Sequence, residues 1–326
     1  MSAHTFRLHL FHMPTAADHR GTQSGTNPPI MNTARTKDAR SPAARTIEVN
    51  GITQSYFEWR ARPGNHEPPL LFAHATGFHA RVFDAVIAHF PERRVLSLDL
   101  RGHGRSSGGP IDDWRTVVTD VTDLCEALAI RGAIGIGHSM GAHVLAQCAA
   151  DSPALFARLV LFDPVILAPE FYAPDAALFT SDAPHPAIRR KRDFASAEAM
   201  MERFRARDPY CLFDARVFED YCRHGLLPKE DGEGCELACP PEVEASVYAS
   251  SRSNAGIHEA VKRIEAPTLV VRAKQTDIND FKSSPTWPQL ASTMPHGEDL
   301  HRPDRTHFHP FEDPADAARI IAGHIG

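Results

Sequence analysis

The sequence lacks any apolar run as long as the roughly 18–20 residues that a membrane-spanning helix needs. It also lacks a recognisable secretory signal: the weakly apolar stretch 6–13 contains two histidines and an arginine, and no small-residue cleavage site follows it. Neither sign of charge dominates, because the net charge is −6 and the pI is about 6.3. We therefore expect a cytoplasmic protein with neither a nucleic acid nor a membrane as a partner.

Motifs for metal or phosphate binding are also missing. The six cysteines are expected to be reduced thiols, since no export signal is present. Cys235 and Cys239 have no second pair of ligands near them in the sequence, and no His-x-x-x-His pair encloses a glutamate. The Gly-rich loop 99–106 does not end in Gly-Lys-Ser or Gly-Lys-Thr, which argues against a phosphate site. We expect no metal and no cofactor.

The chain of 326 residues is long enough for one large α/β domain with an insertion. Apolar residues make up 42% of it and charged residues 23%, as is usual in globular proteins. Residues 1–44 are poor in bulky apolar side chains and are predicted to be a disordered extension, for which Met31 offers an alternative start.

A regular pattern begins at residue 45. Asn50-Gly51 between the alternating segments 46–49 and 52–59 predicts a β-hairpin. Nearly continuous apolar runs at 69–73, 94–99, 133–137, 158–163 and 267–272 are typical of strands covered on both faces. Helical periodicity at 113–129, 140–150 and 314–325 lies between or after these runs. This alternation predicts an α/β fold with a mostly parallel, doubly wound sheet.

The alternation stops between residues 165 and 262. This region contains several prolines and helical segments at about 196–207, 214–224, 241–252 and 256–264, with no convincing parallel strand. We interpret 165–262 as a mostly helical cap, inserted into a core made of 45–164 and 263–326.

Gly137-His138-Ser139-Met140-Gly141 follows an apolar strand and opens a helix. A serine at a sharp strand-to-helix turn has a strained backbone, and small residues two before and two after it let the chain segments pass. The motif predicts Ser139 as a nucleophile.

With this motif, the sequence resembles the α/β-hydrolase superfamily over residues 45–326. Three further segments carry the resemblance: His74-Ala75-Thr76-Gly77-Phe78, Asp99-Leu100-Arg101-Gly102-His103-Gly104-Arg105-Ser106, and the segment 307–314. The resemblance implies the superfamily's fold and a catalytic triad with an oxyanion hole.

A serine hydroxyl needs an adjacent base, and the base needs a carboxylate. The resemblance favours His307 as the base, with His309 as its local rival. It favours Asp277 as the acid, because Asp277 lies in the loop after the strand predicted at 267–272, where relatives usually carry the acid. Asp163, at the end of the preceding apolar run, and Asp280 remain alternatives.

The backbone N–H groups of Met140 and, by the resemblance, Thr76 are the expected oxyanion donors. Ala75 stands where the superfamily usually has glycine, so it would be strained if the loop required a positive φ there. The Thr76 hydroxyl either adds a third hydrogen bond or caps the loop.

These residues predict a carboxylic ester hydrolase or lactonase that forms an acyl-enzyme on Ser139 and takes a small-molecule ester or lactone. The alternatives are a carbon–carbon bond hydrolase, a cofactor-free haloperoxidase or perhydrolase, and a small-molecule receptor on the same fold. In the cap, Arg189-Arg190-Lys191-Arg192 is either a carboxylate-binding patch or, as we prefer, a solvated helix end.

Overall fold

The computed structural model describes residues 41–173, 185–277 and 280–326, so the predicted extension lies almost wholly outside the described residues. The described strands, in chain order, are β1 (Ala43–Val49), β2 (Ile52–Trp59), β3 (Leu70–Ala73), β4 (Val95–Leu98), β5 (Ala133–His138), β6 (Phe156–Phe162), β7 (Asp193–Phe194), β8 (Leu226–Pro228), β9 (Cys235–Leu237), β10 (Thr268–Ala273) and β11 (Gly297–Arg302).

The described α-helices are α1 (Asp84–Ile87), α2 (Arg115–Ala127), α3 (Met140–Asp151), α4 (Ala197–Phe204), α5 (Ala215–His224), α6 (Pro241–Ala249), α7 (Ile257–Ala260), α8 (Leu290–Thr293), α9 (His309–Glu312) and α10 (Pro314–Ile325). Short 3-10 helices lie at Ala80–Phe83, Pro169–Tyr172, Pro186–Arg189, Tyr210–Leu212 and Val261–Arg263. None of the described helices combines the length and the apolar character that crossing a membrane requires.

Eight strands form one sheet in the order β1-β2-β4-β3-β5-β6-β10-β11. The predicted hairpin is β1 and β2, which pair antiparallel around Asn50 and Gly51, and β2 pairs antiparallel with β4. Along this order, every neighbouring pair between β4 and β11 is parallel. The expected mostly parallel α/β sheet is therefore present.

Side chains from both faces of the sheet are buried. In β3, Leu71 and Ala73 belong to one apolar cluster, whereas Leu70 and Phe72 belong to a cluster on the opposite face. Such two-sided burial explains why these strands are continuous apolar runs in the sequence.

The region between β6 and β10 contains α4–α7 near the predicted helical segments. It also contains a small antiparallel sheet in the order β7-β9-β8, which the helical interpretation of 165–262 did not include. These strands have only two or three residues each, too few for an alternating pattern to show in the sequence.

The sheet brings the candidate residues to one edge. Ser139 follows β5 and Asp163 follows β6, and these two strands are parallel neighbours. The carboxyl ends of parallel strands meet at the same edge of a sheet, where ligands of open α/β folds bind. β10, the next strand, ends at Ala273 on that same edge.

Candidate active site

Ser139 occupies a sharp turn between β5 and α3. Its backbone has φ 56° and ψ −118°, a combination that is strained for a residue other than glycine. A Cβ atom at Gly137 would lie 2.5 Å from the Cα atom of Ala142, and one at Gly141 would overlap the carbonyl oxygen of Ala73. Because the clashing atoms are backbone atoms, only glycine fits on either side of the serine. The Gly-x-Ser-x-Gly pattern thus has the predicted steric cause.

The side chain of His307 faces the Ser139 hydroxyl. His307 Nε2 lies 3.0 Å from Ser139 Oγ, and both residues are buried. The backbone holds the ring in place, since the N–H of His307 donates to the carbonyl oxygen of Lys282 at 2.8 Å. The predicted base is therefore within hydrogen-bond reach of the predicted nucleophile. His309, its rival, lies 3.0 Å from Asp316 Oδ2 instead.

His138, the residue before Ser139 in the motif, supports His307. Its Nε2–H donates to the carbonyl oxygen of His307 at 2.7 Å, and the two ring centroids are 5.0 Å apart. Burial, followed by the nearby charge of His307, holds the pKa of His138 well below the ordinary range. His138 is thus a neutral donor that fixes the backbone of His307.

The carboxylate in contact with His307 belongs to Asp163, and the expectation of Asp277 is corrected here. Asp163 Oδ2 lies 2.7 Å from His307 Nδ1, and both side chains are buried. Asp277 lies at an exposed position in the loop after β10. Asp280 accepts a hydrogen bond from the N–H of Lys282 at 3.0 Å. The physical reason is topological: β6 lies directly beside β5, whereas β10 lies one strand further away.

The end of β10 and the loop after it nevertheless supply hydrogen-bond donors to the Asp163 carboxylate. Asp163 Oδ1 accepts from the N–H of Ala273 at 3.1 Å and from the hydroxyl of Ser284 at 2.5 Å. The hydroxyl of Thr286 lies 3.2 Å from Asp163 Oδ1 but only 2.8 Å from the carbonyl oxygen of Pro164, so its single hydrogen favours the latter. These donors orient the carboxylate with Oδ2 towards His307.

Two buried histidines hold the loop that follows β3. His74 Nδ1–H donates to the carbonyl oxygen of Ala75 at 2.8 Å, and its Nε2 accepts from the N–H of Leu100 at 3.0 Å. His103 Nε2 accepts from the N–H of Gly77 at 3.1 Å. Burial lowers the pKa of His103 to about 4 and that of His74 well below the ordinary range. Both rings are therefore neutral, as acceptance at Nε2 requires.

The predicted oxyanion donors come from this loop and from α3. The Thr76 hydroxyl lies 3.7 Å from the Met140 sulfur, so the two segments are in contact beside Ser139. Met140 is the first residue of α3, where backbone N–H groups lack partners within the helix. Ala75 does not adopt a positive φ; Gly77, with φ 77°, does. The strain considered for Ala75 is therefore absent.

A pocket opens in front of Ser139 and His307. It encloses about 550 Å³ of space continuous with solvent, between the loop after β3 and the inserted region. Its apolar walls include Phe78, Pro209, Phe281 and Phe308. Its polar groups come mainly from the inserted region: His185, Arg190, Tyr210, Tyr221, Glu244 and Tyr248. The candidate catalytic groups and an apolar cleft therefore coincide, as is usual for small-molecule sites.

Sequence reasoning missed several of these residues. Ser284 and Thr286 stand among other serines and threonines, and no local pattern marks them as partners of Asp163. Arg190 belongs to the run 189–192, which we interpreted as solvated, yet its side chain is only 9% exposed. Arg192, in contrast, is 44% exposed and pairs with Glu236 and Glu242.

The residues that could hold a metal lie elsewhere. In the described part of the chain, Asp84, Asp220 and His224 are the one group of three metal-type side chains with ligand atoms within 4.8 Å of one another. Arg81 already donates to both carboxylate oxygens of Asp84, at 2.9 and 2.8 Å from Nε. None of the four residues lines the pocket at Ser139.

Two named enzymes are similar to this chain in sequence. A diacylglycerol lipase described as sn-1-specific, ABHD11 from Danio rerio, is 25% identical over 294 residues, which cover 87% of this chain and 85% of the relative. N-formylmaleamate deformylase from Pseudomonas putida is 29% identical over 136 residues, or 39% of this chain and 47% of the relative.

Among solved structures, E-2-(acetamidomethylene)succinate hydrolase superposes with a TM-score of 0.68 at 20% identity and covers 87% of this chain and 99% of its own. A likeness at this identity shows a shared fold. The model of the alpha/beta hydrolase family matches residues 70–320, most of the chain. The chain belongs to the alpha/beta hydrolase family.

Proposed function

We propose that the protein is a serine hydrolase that cleaves a carboxylic ester or lactone through an acyl-enzyme on Ser139. The observation that carries the proposal is the continuous chain of contacts from Ser139 Oγ to His307 Nε2, 3.0 Å, and from His307 Nδ1 to Asp163 Oδ2, 2.7 Å. Nucleophile, base and orienting acid in this order are the arrangement that acyl transfer uses.

In the first half of the reaction, Ser139 Oγ attacks the acyl carbon and its proton passes to His307 Nε2. Asp163 accepts the His307 Nδ1–H and stabilises the imidazolium that forms. The backbone N–H groups of Met140 and Thr76 stabilise the oxyanion; removing one such donor typically costs about 3–4 kcal/mol of barrier stabilisation.

In the second half, the protonated His307 gives its proton to the leaving alkoxide, and an alcohol departs. His307 then takes a proton from a water molecule that attacks the acyl-enzyme, and gives this proton to Ser139 Oγ as the bond to the acyl carbon breaks and the acid departs. In a lactone, the alcohol and the acid remain parts of one molecule. The apolar pocket walls favour an acyl group with apolar character.

The relatives support acyl chemistry without defining the substrate. The name of one relative refers to a lipase that acts on diacylglycerol, and that of another to removal of a formyl group from N-formylmaleamate. Both names describe cleavage of a bond to an acyl carbon. An ester or lactone is proposed because lipases cleave esters and the similarity to the lipase covers 87% of this chain, against 39% for the deformylase.

The test measures acylation of Ser139 directly. Mixing the purified protein with 4-nitrophenyl acetate should give Ser139-dependent release of 4-nitrophenol, and mass spectrometry of the quenched protein should find the acetyl group on Ser139. The Ser139→Ala variant should show neither. Ester turnover by the Ser139→Ala variant at the wild-type rate would overturn the proposal, and ester binding without release of 4-nitrophenol would favour a receptor.

A further inference from the structure

A buried ion pair lies in the wall of the pocket beside Ser139. Arg190, just after the 3-10 helix at Pro186–Arg189, donates from Nη1 to Glu244 Oε2 on α6. The Arg190 side chain is 9% exposed and that of Glu244 is 1% exposed. Both line the same cavity as Ser139 and His307. The pair is therefore part of the surface that a bound substrate meets.

The guanidinium of Arg190 is also bonded to two phenols. Its Nη2 donates to Tyr221 Oη at 2.9 Å and lies 3.3 Å from Tyr210 Oη. Burial raises the pKa of both tyrosines, so they are neutral hydroxyl groups and do not offset the arginine charge. Burial also disfavours the charged form of Arg190, but Glu244 and the two phenols together outweigh it and hold the arginine pKa above its ordinary value.

The pair lies against the loop that supplies Thr76. A Cβ atom at Gly77 would be 2.7 Å from Glu244 Oε1 and 3.2 Å from Arg190 Nη1. An unpaired negative charge beside the loop that supplies an oxyanion donor would oppose formation of the oxyanion, and an unpaired positive charge would attract any anion in the pocket. Pairing removes both effects.

Among the described residues that line the pocket, Arg190 and Glu244 are the two that carry a formal charge when the histidines are neutral. We propose that Glu244 is a specificity-determining residue: by neutralising Arg190, it makes the pocket accept uncharged acyl groups and reject acyl groups that carry a carboxylate. The inference rests on the proposed ester hydrolysis. Without Glu244, the same Arg190, with Tyr210 and Tyr221 as further donors, is a carboxylate site.

The experiment compares two substrates whose acyl chains differ at the far end. In 4-nitrophenyl pentanoate the chain ends in a methyl group, and in 4-nitrophenyl hydrogen glutarate it ends in a carboxylate. The quantity measured is the ratio of kcat/KM for the glutarate ester to that for the pentanoate ester, after subtraction of the rate with the Ser139→Ala variant. For the wild-type protein we expect this ratio to be about 0.1 or lower, because burying a carboxylate in a pocket whose one cation is already paired costs the free energy of desolvating that carboxylate.

Three variants separate the effect of side-chain charge from that of side-chain size. Glu244→Gln keeps the shape of the side chain and should raise the ratio by about ten-fold or more, since Arg190 then binds the glutarate carboxylate. The double variant Arg190→Gln with Glu244→Gln should return it to the wild-type value. Glu242→Gln is the matched control: Glu242 lies two residues away on α6, pairs with Arg192 and is 46% exposed, so its ratio should not change.

Each outcome has one interpretation. A wild-type preference for the glutarate ester would overturn the inference, and this measurement needs no variant to fold. An unchanged ratio in folded Glu244→Gln, or an equal rise in the double variant, would overturn it as well. If neither ester is hydrolysed in a Ser139-dependent way, the proposed function fails together with the inference. If pentanoate turnover depends on Ser139 but the ratio does not respond to Glu244, the inference alone fails.

Discussion

Replacing Asp163 by asparagine tests which carboxylate orients His307. Asp163 Oδ1 accepts two hydrogen bonds, from the N–H of Ala273 at 3.1 Å and from Ser284 Oγ at 2.5 Å. In Asp163→Asn the amide oxygen must therefore take the Oδ1 position, because an NH₂ group there would face the backbone N–H. The amide NH₂ is then left at the Oδ2 position, 2.7 Å from His307 Nδ1.

This orientation reverses the tautomer of His307. An NH₂ group donates, so Nδ1 must accept and the ring proton moves to Nε2, the atom that faces Ser139 Oγ at 3.0 Å. A protonated Nε2 cannot take the serine proton. In serine hydrolases of this type the wrong tautomer lowers kcat by about 10⁴, which corresponds to about 5.5 kcal/mol of barrier. We expect a loss of that order in Asp163→Asn.

The assay is steady-state hydrolysis of 4-nitrophenyl acetate, with the thermal midpoint of each variant measured in parallel. Asp277→Asn is the matched control, because Asp277 is the exposed carboxylate in the loop after the neighbouring strand. Its kcat should remain within about two-fold of the wild type, since surface substitutions usually perturb a protein little. The reasoning is wrong if folded Asp163→Asn keeps kcat within ten-fold of the wild type, or if Asp277→Asn loses more activity than Asp163→Asn.

Two further predictions concern stability. Gly141→Ala should lower the free energy of unfolding by about 1–3 kcal/mol or more, because the new Cβ overlaps the backbone oxygen of Ala73. Gly323→Ala in α10 should raise the free energy of unfolding by about 0.5–1 kcal/mol, because the space around Gly323 is open. Urea unfolding measures both changes, and an equal effect of the two substitutions would contradict the steric argument. The same measurement should show a loss of stability at acid pH. Burial lowers the pKa of His79 to about 3 and of His103 and His143 to about 4, so between pH 6.5 and 4 the unfolded chain binds more protons than the folded one. From pH 7.5 to 5.5 each histidine should therefore remove about 1.4 kcal/mol, roughly 4 kcal/mol for the three. Burial raises the pKa of Asp220 to about 7, so the folded chain takes up a proton there and regains about 2 kcal/mol over the same interval. A net stability that does not fall would refute the neutral burial of the histidines.

The parts of the fold that the sequence predicted are those encoded by local chemistry. The parallel strands β3, β4, β5, β6 and β10 are covered on both faces, so each is a nearly uninterrupted apolar run, and Asn50-Gly51 marks the hairpin by its turn conformation. β11 could not be found in this way. Its residues, Gly-Glu-Asp-Leu-His-Arg, are half-buried or exposed at the edge of the sheet, and the strand forms because β10 offers it hydrogen bonds.

The site residues also divide into those that local sequence indicates and those that only three-dimensional packing brings together. The motif around Ser139 was readable in one dimension because its two glycines stand at fixed positions within five contiguous residues, although the atoms that exclude a Cβ at Gly141 belong to Ala73 on β3. The charge state of the pocket could not be read in this way, because Arg190 and Glu244 are 54 residues apart and Arg190 is flanked by exposed basic residues. Four consecutive basic residues predict a solvated segment, and three-dimensional packing alone singles out Arg190 from the other three.

For the choice between Asp163 and Asp277, the sequence around Asp163 did contain an indication of the acid, but the prediction gave it too little weight. Both aspartates follow buried parallel strands at one edge of the sheet, so either could have reached the base. Asp163, however, has φ 46°, and the residue before a proline is otherwise restricted to extended conformations. Such a conformation persists only when the surroundings over-determine it. Here the N–H of Asp163 donates to Val271, its carboxylate binds Ala273 and Ser284, and Ser139 on the adjacent strand has a similar positive φ of 56°. An aspartate between a buried apolar strand and a proline, beside the nucleophile strand, is therefore a stronger indication of the acid than a polar loop one strand further away.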